Sequence, residues 1–192
     1  MIRKYLKFYL LVFTLVLPFT VGTFSAVSAS AAEEIAVMTT DMGIIKIAFF
    51  PNKAPKHVVN FKHLSKSGFY EGVYFHRVIP GFMIQGGDPN TKDNDRSNDG
   101  MGGAGYNIKA EFNDTVHKRG VVSMARSQNP DSASSQFFIM TTNAPHLDGQ
   151  YSAFGRVIEG MNVVDKIVNA KRDRNDNPLK KIVIKSVKIV KK

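Results

Sequence analysis

No cysteine occurs anywhere in the 192-residue sequence. Disulfides, a lipid-bearing cysteine and a thiol nucleophile are therefore excluded, and stability must come from packing and hydrogen bonding. Two common catalytic patterns are missing as well: there is no H-E-x-x-H and no G-x-S-x-G. Five histidines are present, His57, His63, His76, His117 and His146. None pairs at a metal-ligand spacing, because His57 and His63 stand six apart and fall on different faces of a helix. No internal repeat is visible. A chain with no nucleophile, metal or cofactor motif points to a binding protein, or to an enzyme whose reaction breaks no bond.

Long apolar runs are confined to the amino terminus. Residues 1–7 hold Arg3, Lys4 and Lys7, residues 8–24 are almost wholly apolar, and residues 25–32 are small and include Ala29-Ser30-Ala31. Basic start, apolar middle and small-residue end read as a secretory signal peptide cleaved after Ala31. The apolar run is short for a membrane span and contains Pro18, so stable membrane insertion is not expected after cleavage. Residues 32–192 then form one domain, long enough for a substantial core. The formal net charge is +10. The lysines and arginines are scattered, which reads as a solvated basic surface with no nucleic-acid partner.

Residues 35–40 and 44–50 are β-rich and flank Asp41-Met42-Gly43, a hairpin signal. Residues 54–67 read as a helix, with Pro55 in the first turn, Val58, Phe61 and Leu64 on one face, and Gly68 at the end. Further strands are expected at 120–125, 135–141 and 153–158. A second helix is expected at 160–170, with Met161, Val164, Ile167 and Val168 on one face. A last strand, 181–190, alternates imperfectly, as an edge or bulged strand would. About eight short strands and two helices that do not alternate with them predict a mostly β fold: a closed eight-stranded antiparallel barrel capped by two α-helices. The interior of such a barrel is filled by side chains, so a ligand site is expected on its outer wall.

Two loop motifs carry no chemistry. Gly100-Met101-Gly102-Gly103-Ala104-Gly105 satisfies G-x-G-x-x-G but follows a polar loop and precedes a strand-like run, the wrong setting for a dinucleotide. Asp88, Asp93, Asp95 and Asp99 do not match the twelve-residue calcium loop and read as a solvated acidic loop. The informative stretch runs from Tyr74 to Asp88, two short strands about a Pro80-Gly81 corner. Strict alternation puts Phe82, Ile84 and Gly86 on one face and Met83 and Gln85 on the other. The corner and Gly86-Gly87 are expected to bend or bulge the strand, so that these neighbours share one groove.

Phe75-His76-Arg77-Val78-Ile79-Pro80-Gly81-Phe82-Met83-Ile84-Gln85-Gly86-Gly87-Asp88 resembles the signature of the cyclophilins. Four further pieces follow in order: Ser123-Met124-Ala125, Ser135-Gln136-Phe137-Phe138-Ile139, Leu147-Asp148-Gly149 with Phe154-Gly155, and Glu159-Gly160-Met161. The resemblance implies a peptidyl-prolyl cis–trans isomerase that forms no covalent intermediate and uses no metal or cofactor. Rotation about an X-Pro amide must cross a barrier of about 18–20 kcal/mol. An enzyme must hold the proline ring and favour the twisted amide over both planar forms.

The resemblance also implies the parts. Arg77, Gln85 and Phe82 are the catalytic group. Arg77 would donate to the prolyl nitrogen, which can accept a hydrogen bond only once the twist removes its resonance, and Gln85 would hold a substrate carbonyl and help position Arg77. Met83, Phe138 and Leu147 would join Phe82 in the proline pocket. Gln136 belongs to the same substrate-binding set, and backbone at Ala125 and Arg126 would pair with the residue before the proline. On composition alone Phe82, Met83 and Phe138 read as barrel core. Three positions depart from the family: Arg126 where Asn is common, His146 where Trp is common, and Tyr151 where His is usual. The first spares a backbone role, the second weakens affinity for cyclosporin, and the third preserves a pocket wall.

The chain is identified on these residues as resembling an exported bacterial cyclophilin. The expectations are a monomer in the periplasm, or secreted as the alternative, acting on proline-containing unfolded or flexible polypeptides and assisting the folding of exported proteins. The rival is a non-catalytic peptide-binding or chaperone module on the same barrel. A carbohydrate- or lipid-binding barrel has no supporting motif.

Overall fold

The computed structural model describes residues 33–192. The expected leader, 1–31, lies outside the described residues. Eight strands form one antiparallel sheet: β1 (Glu34–Thr40), β2 (Gly43–Phe49), β3 (Arg77–Ile79), β4 (Met83–Gly86), β5 (Val121–Met124), β6 (Phe137–Met140), β7 (Ala153–Glu159) and β8 (Ile184–Lys191). Two helices, α1 (Pro55–Lys66) and α2 (Met161–Val168), accompany them. The strand order is β3-β4-β6-β5-β7-β2-β1-β8.

That order corrects the expectation of a closed barrel. The sheet is a curled half-barrel with two free ends, β3 and β8. Between those ends the connection is sporadic: a bridge joins Tyr74 to Val183, and backbone bonds run from Phe75 N to Ile182 O at 3.2 Å and from Ile184 N to Val73 O at 2.8 Å. Residues 181–183, expected to begin the last strand, make only such isolated pairings. The irregular alternation of β8 does mark an edge, and its ladder with β1 shifts between Thr39 and Thr40.

The concave side holds the main core. α1 inserts Phe61, which lies 5.0–5.9 Å from Phe49, Tyr70, Phe137 and Phe154 by ring centroids. Val58 and Leu64 join it, as the three-residue spacing predicts. α2 buries Val163, Val164, Ile167 and Val168. It starts at Gly160, whose φ of +93° and 2.2 Å clearance from Ile44 O to an added Cβ admit only glycine.

β4, β5 and β6 are apolar on both faces. Ile84, Val122, Phe137 and Ile139 point into the main core. Their strand neighbours Met83, Val121, Phe138 and Met140 point the other way and form a second apolar cluster with Ala144, Leu147 and Ala153. Burial on both faces explains why residues 120–125 and 135–141 read as continuous apolar runs. Something must cover the convex face, and the short turn Pro145–Leu147 does so.

Candidate active site

The site is assembled by cross-strand register on that convex face. Arg77 of β3 faces Gln85 of β4, Gln85 faces Phe138 of β6, and Phe138 faces Ser123 of β5. One rank across four strands thus carries a cation, an amide, an aromatic ring and a hydroxyl. The next rank on the same face carries Ile79, Met83 and Met140.

Phe82 corrects the alternation argument. It precedes β4, in the turn after Pro80-Gly81, and donates its N–H to Ile79 O at 3.0 Å. No register shift interrupts β4 itself. The corner alone frees Phe82 from the strand's alternation and lets it pack on the convex cluster beside Met83.

All but one of the expected site residues line a single hollow of about 410 Å³: Arg77, Phe82, Met83, Gln85, Ala125, Arg126, Phe138, His146, Leu147 and Tyr151. Gln136 stands just outside it and serves as a brace. It accepts from Gln85 Nε2 at 2.9 Å and donates to Gly100 O at 2.9 Å and Gly102 O at 2.8 Å. The Gln85 amide group is thereby anchored to Gln136, and among the described residues no hydrogen bond joins it to Arg77.

The floor is apolar: Met83, Phe138 and Leu147 are almost fully buried. The wall is aromatic. The Phe82 and His146 rings stack at 5.8 Å, and Phe138 meets Tyr151 edge-on at 5.6 Å. Arg77 is exposed, and among the described residues no carboxylate reaches its guanidinium within ion-pair distance. Beyond Met124 the ladder ends; Ala125 N donates to Gln136 O at 2.9 Å, and the Arg126 amide has no backbone acceptor among the described residues.

Three residues under the hollow were not singled out by sequence. His117 is buried and receives a hydrogen bond at Nε2 from Ser123 Oγ at 2.8 Å. Its Nδ1 donates to Asp148 at 3.0 Å, and its backbone N–H donates to the same oxygen at 2.7 Å. A carboxylate can only accept, so Nδ1 carries a proton, and the neutral ring that burial favours leaves Nε2 to accept from Ser123. Burial pushes the His117 pKa down, with Asp148 opposing, and the His117 amide holds Asp148 below the usual carboxylate range. The imidazole stacks on Phe138 at 6.2 Å. Asp148 thus ties the Pro145–Leu147 turn to the floor. With His117 and Asp148 31 residues apart, no local pattern could have revealed the link.

The loop motifs also resolve. Asp88 is fully buried, which corrects the reading of a wholly solvated acidic loop. Its carboxylate accepts from Asn90 N at 2.9 Å and from the Gly100 and Gly102 amides. An added Cβ at Gly102 would sit 2.1 Å from Asp88, so glycine is there for close approach. Asp99 accepts from Tyr74 and from Asn177 Nδ2. Burial and that carboxylate push the Tyr74 pKa to about 12. His76 is buried, and burial lowers its pKa against the pull of Asp88 and Asp99.

Residues 35–189 match the family described as cyclophilin type peptidyl-prolyl cis-trans isomerase/CLD. A probable peptidyl-prolyl cis-trans isomerase of Brucella abortus is 44% identical over 161 residues, covering 81% of this chain and 82% of that protein. A peptidyl-prolyl cis-trans isomerase of Synechococcus elongatus is 45% identical, covering 71% and 90%. The crystal structure of a Cryptosporidium parvum cyclophilin type isomerase, determined in the presence of the dipeptide Ala-Pro, superposes with a TM-score of 0.75 at 34% identity. The match covers 82% of this chain and 99% of that one. The chain therefore belongs to the cyclophilin-type peptidyl-prolyl cis–trans isomerases and is an enzyme of that class.

Proposed function

We propose that the convex hollow is the isomerisation site and that it acts by holding a proline ring beside an unneutralised guanidinium. The ring would rest on Met83, Phe138 and Leu147 between Phe82 and Tyr151. The Gln85 carboxamide oxygen and the backbone at Ala125 and Arg126, where the Arg126 amide has no backbone acceptor among the described residues, would fix the chain before the proline, leaving the amide between them free to rotate. Arg77, on the rim, has no ion-pair partner to give up among the described residues. Its donors would meet the prolyl nitrogen as the amide twists and that nitrogen becomes basic, so the interaction is made in the transition state and not in either planar form. The observation that carries this reading is the rank Arg77–Gln85–Phe138, which sets donor, amide and apolar floor side by side.

The basic, apolar and small-residue succession in residues 1–31 supports export, with folding of exported proteins as the role, the periplasm as the compartment and the monomer as the working form. His146 in place of a larger indole supports weak binding of cyclosporin. A protease-coupled proline-isomerisation assay tests the activity: turnover of an X-Pro peptide by the wild-type protein is expected, and its absence would leave a peptide-binding module. Mass spectrometry of the exported protein's amino terminus tests cleavage after Ala31.

A further inference from the structure

Arg126 stands on the ridge between the proline hollow and a smaller, polar hollow of about 200 Å³ that shares Gln85, Ala125 and Arg126 with it. Its guanidinium is held in place. Nε and Nη2 donate to Gln150 O at 3.2 and 3.1 Å, and Nη1 donates to Ser127 O at 2.9 Å and Gln128 O at 3.4 Å. The group lies over the Tyr151 ring at 4.5 Å. All of these partners are carbonyls or a ring face, and among the described residues no carboxylate pairs with it. Asp131, in the same loop, accepts instead from Ala110 N at 2.9 Å. Neither hollow has an acidic residue in its lining, whereas Arg77 stands on the far side of the larger one. The groove is therefore flanked by two cations that no carboxylate pairs with among the described residues.

A strand-like peptide points every second side chain to the same side. With its proline in the larger hollow and its backbone along Ala125 and Arg126, the side chain two positions before the proline turns into the smaller hollow, beside Arg126. We propose that Arg126 makes this enzyme select substrates with an acidic residue at the second position before the proline. The inference rests on the isomerisation reading of the larger hollow. Because the guanidinium is already immobilised, an incoming carboxylate need not order it, and only the ligand's own rotamers are lost.

The test uses the full chain and three peptides that differ only at that position, carrying Glu, Gln or Lys. Expected at low salt is kcat/KM in the order Glu, Gln, Lys, with steps of about threefold, narrowing at about 0.5 M salt as screening shortens. The Glu-to-Gln ratio within one protein is the readout, so changes in overall rate do not enter. Arg126→Gln should bring that ratio to about one, Arg126→Lys should keep part of it, and Arg126→Glu should reverse the order. Equal turnover of all three peptides by the wild-type protein overturns the acidic preference while the isomerase survives. An unchanged ratio in Arg126→Gln or Arg126→Glu overturns the role of Arg126. No turnover of any peptide removes the isomerisation reading, and this inference with it.

Discussion

Replacing Arg77 by alanine separates chemistry from stability. The side chain is exposed and has no ion-pair partner among the described residues, so its removal strands no buried group. The strand beneath it is anchored independently: β3 keeps its register with β4, and Val78 N donates to Asp176 O at 2.8 Å. Surface changes of this kind shift stability by about 0.5 kcal/mol or less, which for a domain of this size moves Tm by about 2 °C at most. The transition state, by contrast, loses a charged donor to the prolyl nitrogen. Hydrogen bonds to charged groups contribute about 1.5–3 kcal/mol, so kcat/KM should fall by about one to two orders of magnitude. Arg77→Lys keeps the charge but not the rigid planar fork, and should fall between. Protease-coupled turnover and a thermal melt, run on the same preparations, read the two quantities. An Arg77→Ala protein as fast as wild type would refute the assignment of Arg77 to the twisted amide, while a large drop in Tm would show that the residue is structural.

Ser123→Ala leaves buried His117 Nε2 without its donor and should cost about 1–3 kcal/mol in urea unfolding; a value near zero would mean that the buried network contributes nothing. Gly102→Ala forces a methyl group against Asp88. It should destabilise by about 1–3 kcal/mol and raise KM, because Gly102 O also braces Gln136; unchanged values of both would count against the loop as a support. Burial lowers the pKa of His57, His76 and His117. Below pH about 6.5 the unfolded chain therefore binds protons that the folded chain refuses. Stability should be level above about pH 7 and fall as pH drops through about 6.5, by at most ~1.4 kcal/mol per unit for each histidine. A Tm that stays flat or rises from pH 7 to pH 5 would contradict this.

The sequence by itself determined the elements and their faces. Val58, Phe61 and Leu64 could only mark a helix face, because the three-residue spacing fits no strand, and Asp41-Met42-Gly43 could only be a turn. The motif from Phe75 to Asp88 and its four companions named the family and, together with the three positions that depart from it, every residue that lines the hollow. What the sequence could not convey was anything that depends on which strands lie side by side. Closure depended on whether the ends β3 and β8 pair, and only residues 72–75, ahead of β3, reach residues 182–184 through scattered bonds. Phe82 looked misplaced because alternation assumes a strand, whereas the Pro80-Gly81 corner had already released it. The tie between His117 and Asp148 exists because β5 and the Pro145–Leu147 turn fold onto one face. Arg126 looked neutral to function while only its backbone was considered. The tertiary structure fixes its guanidinium against the Gln150, Ser127 and Gln128 carbonyls and the Tyr151 ring, with no carboxylate in ion-pair distance among the described residues, and charge placement of that kind is set by the whole fold, not by neighbours in sequence.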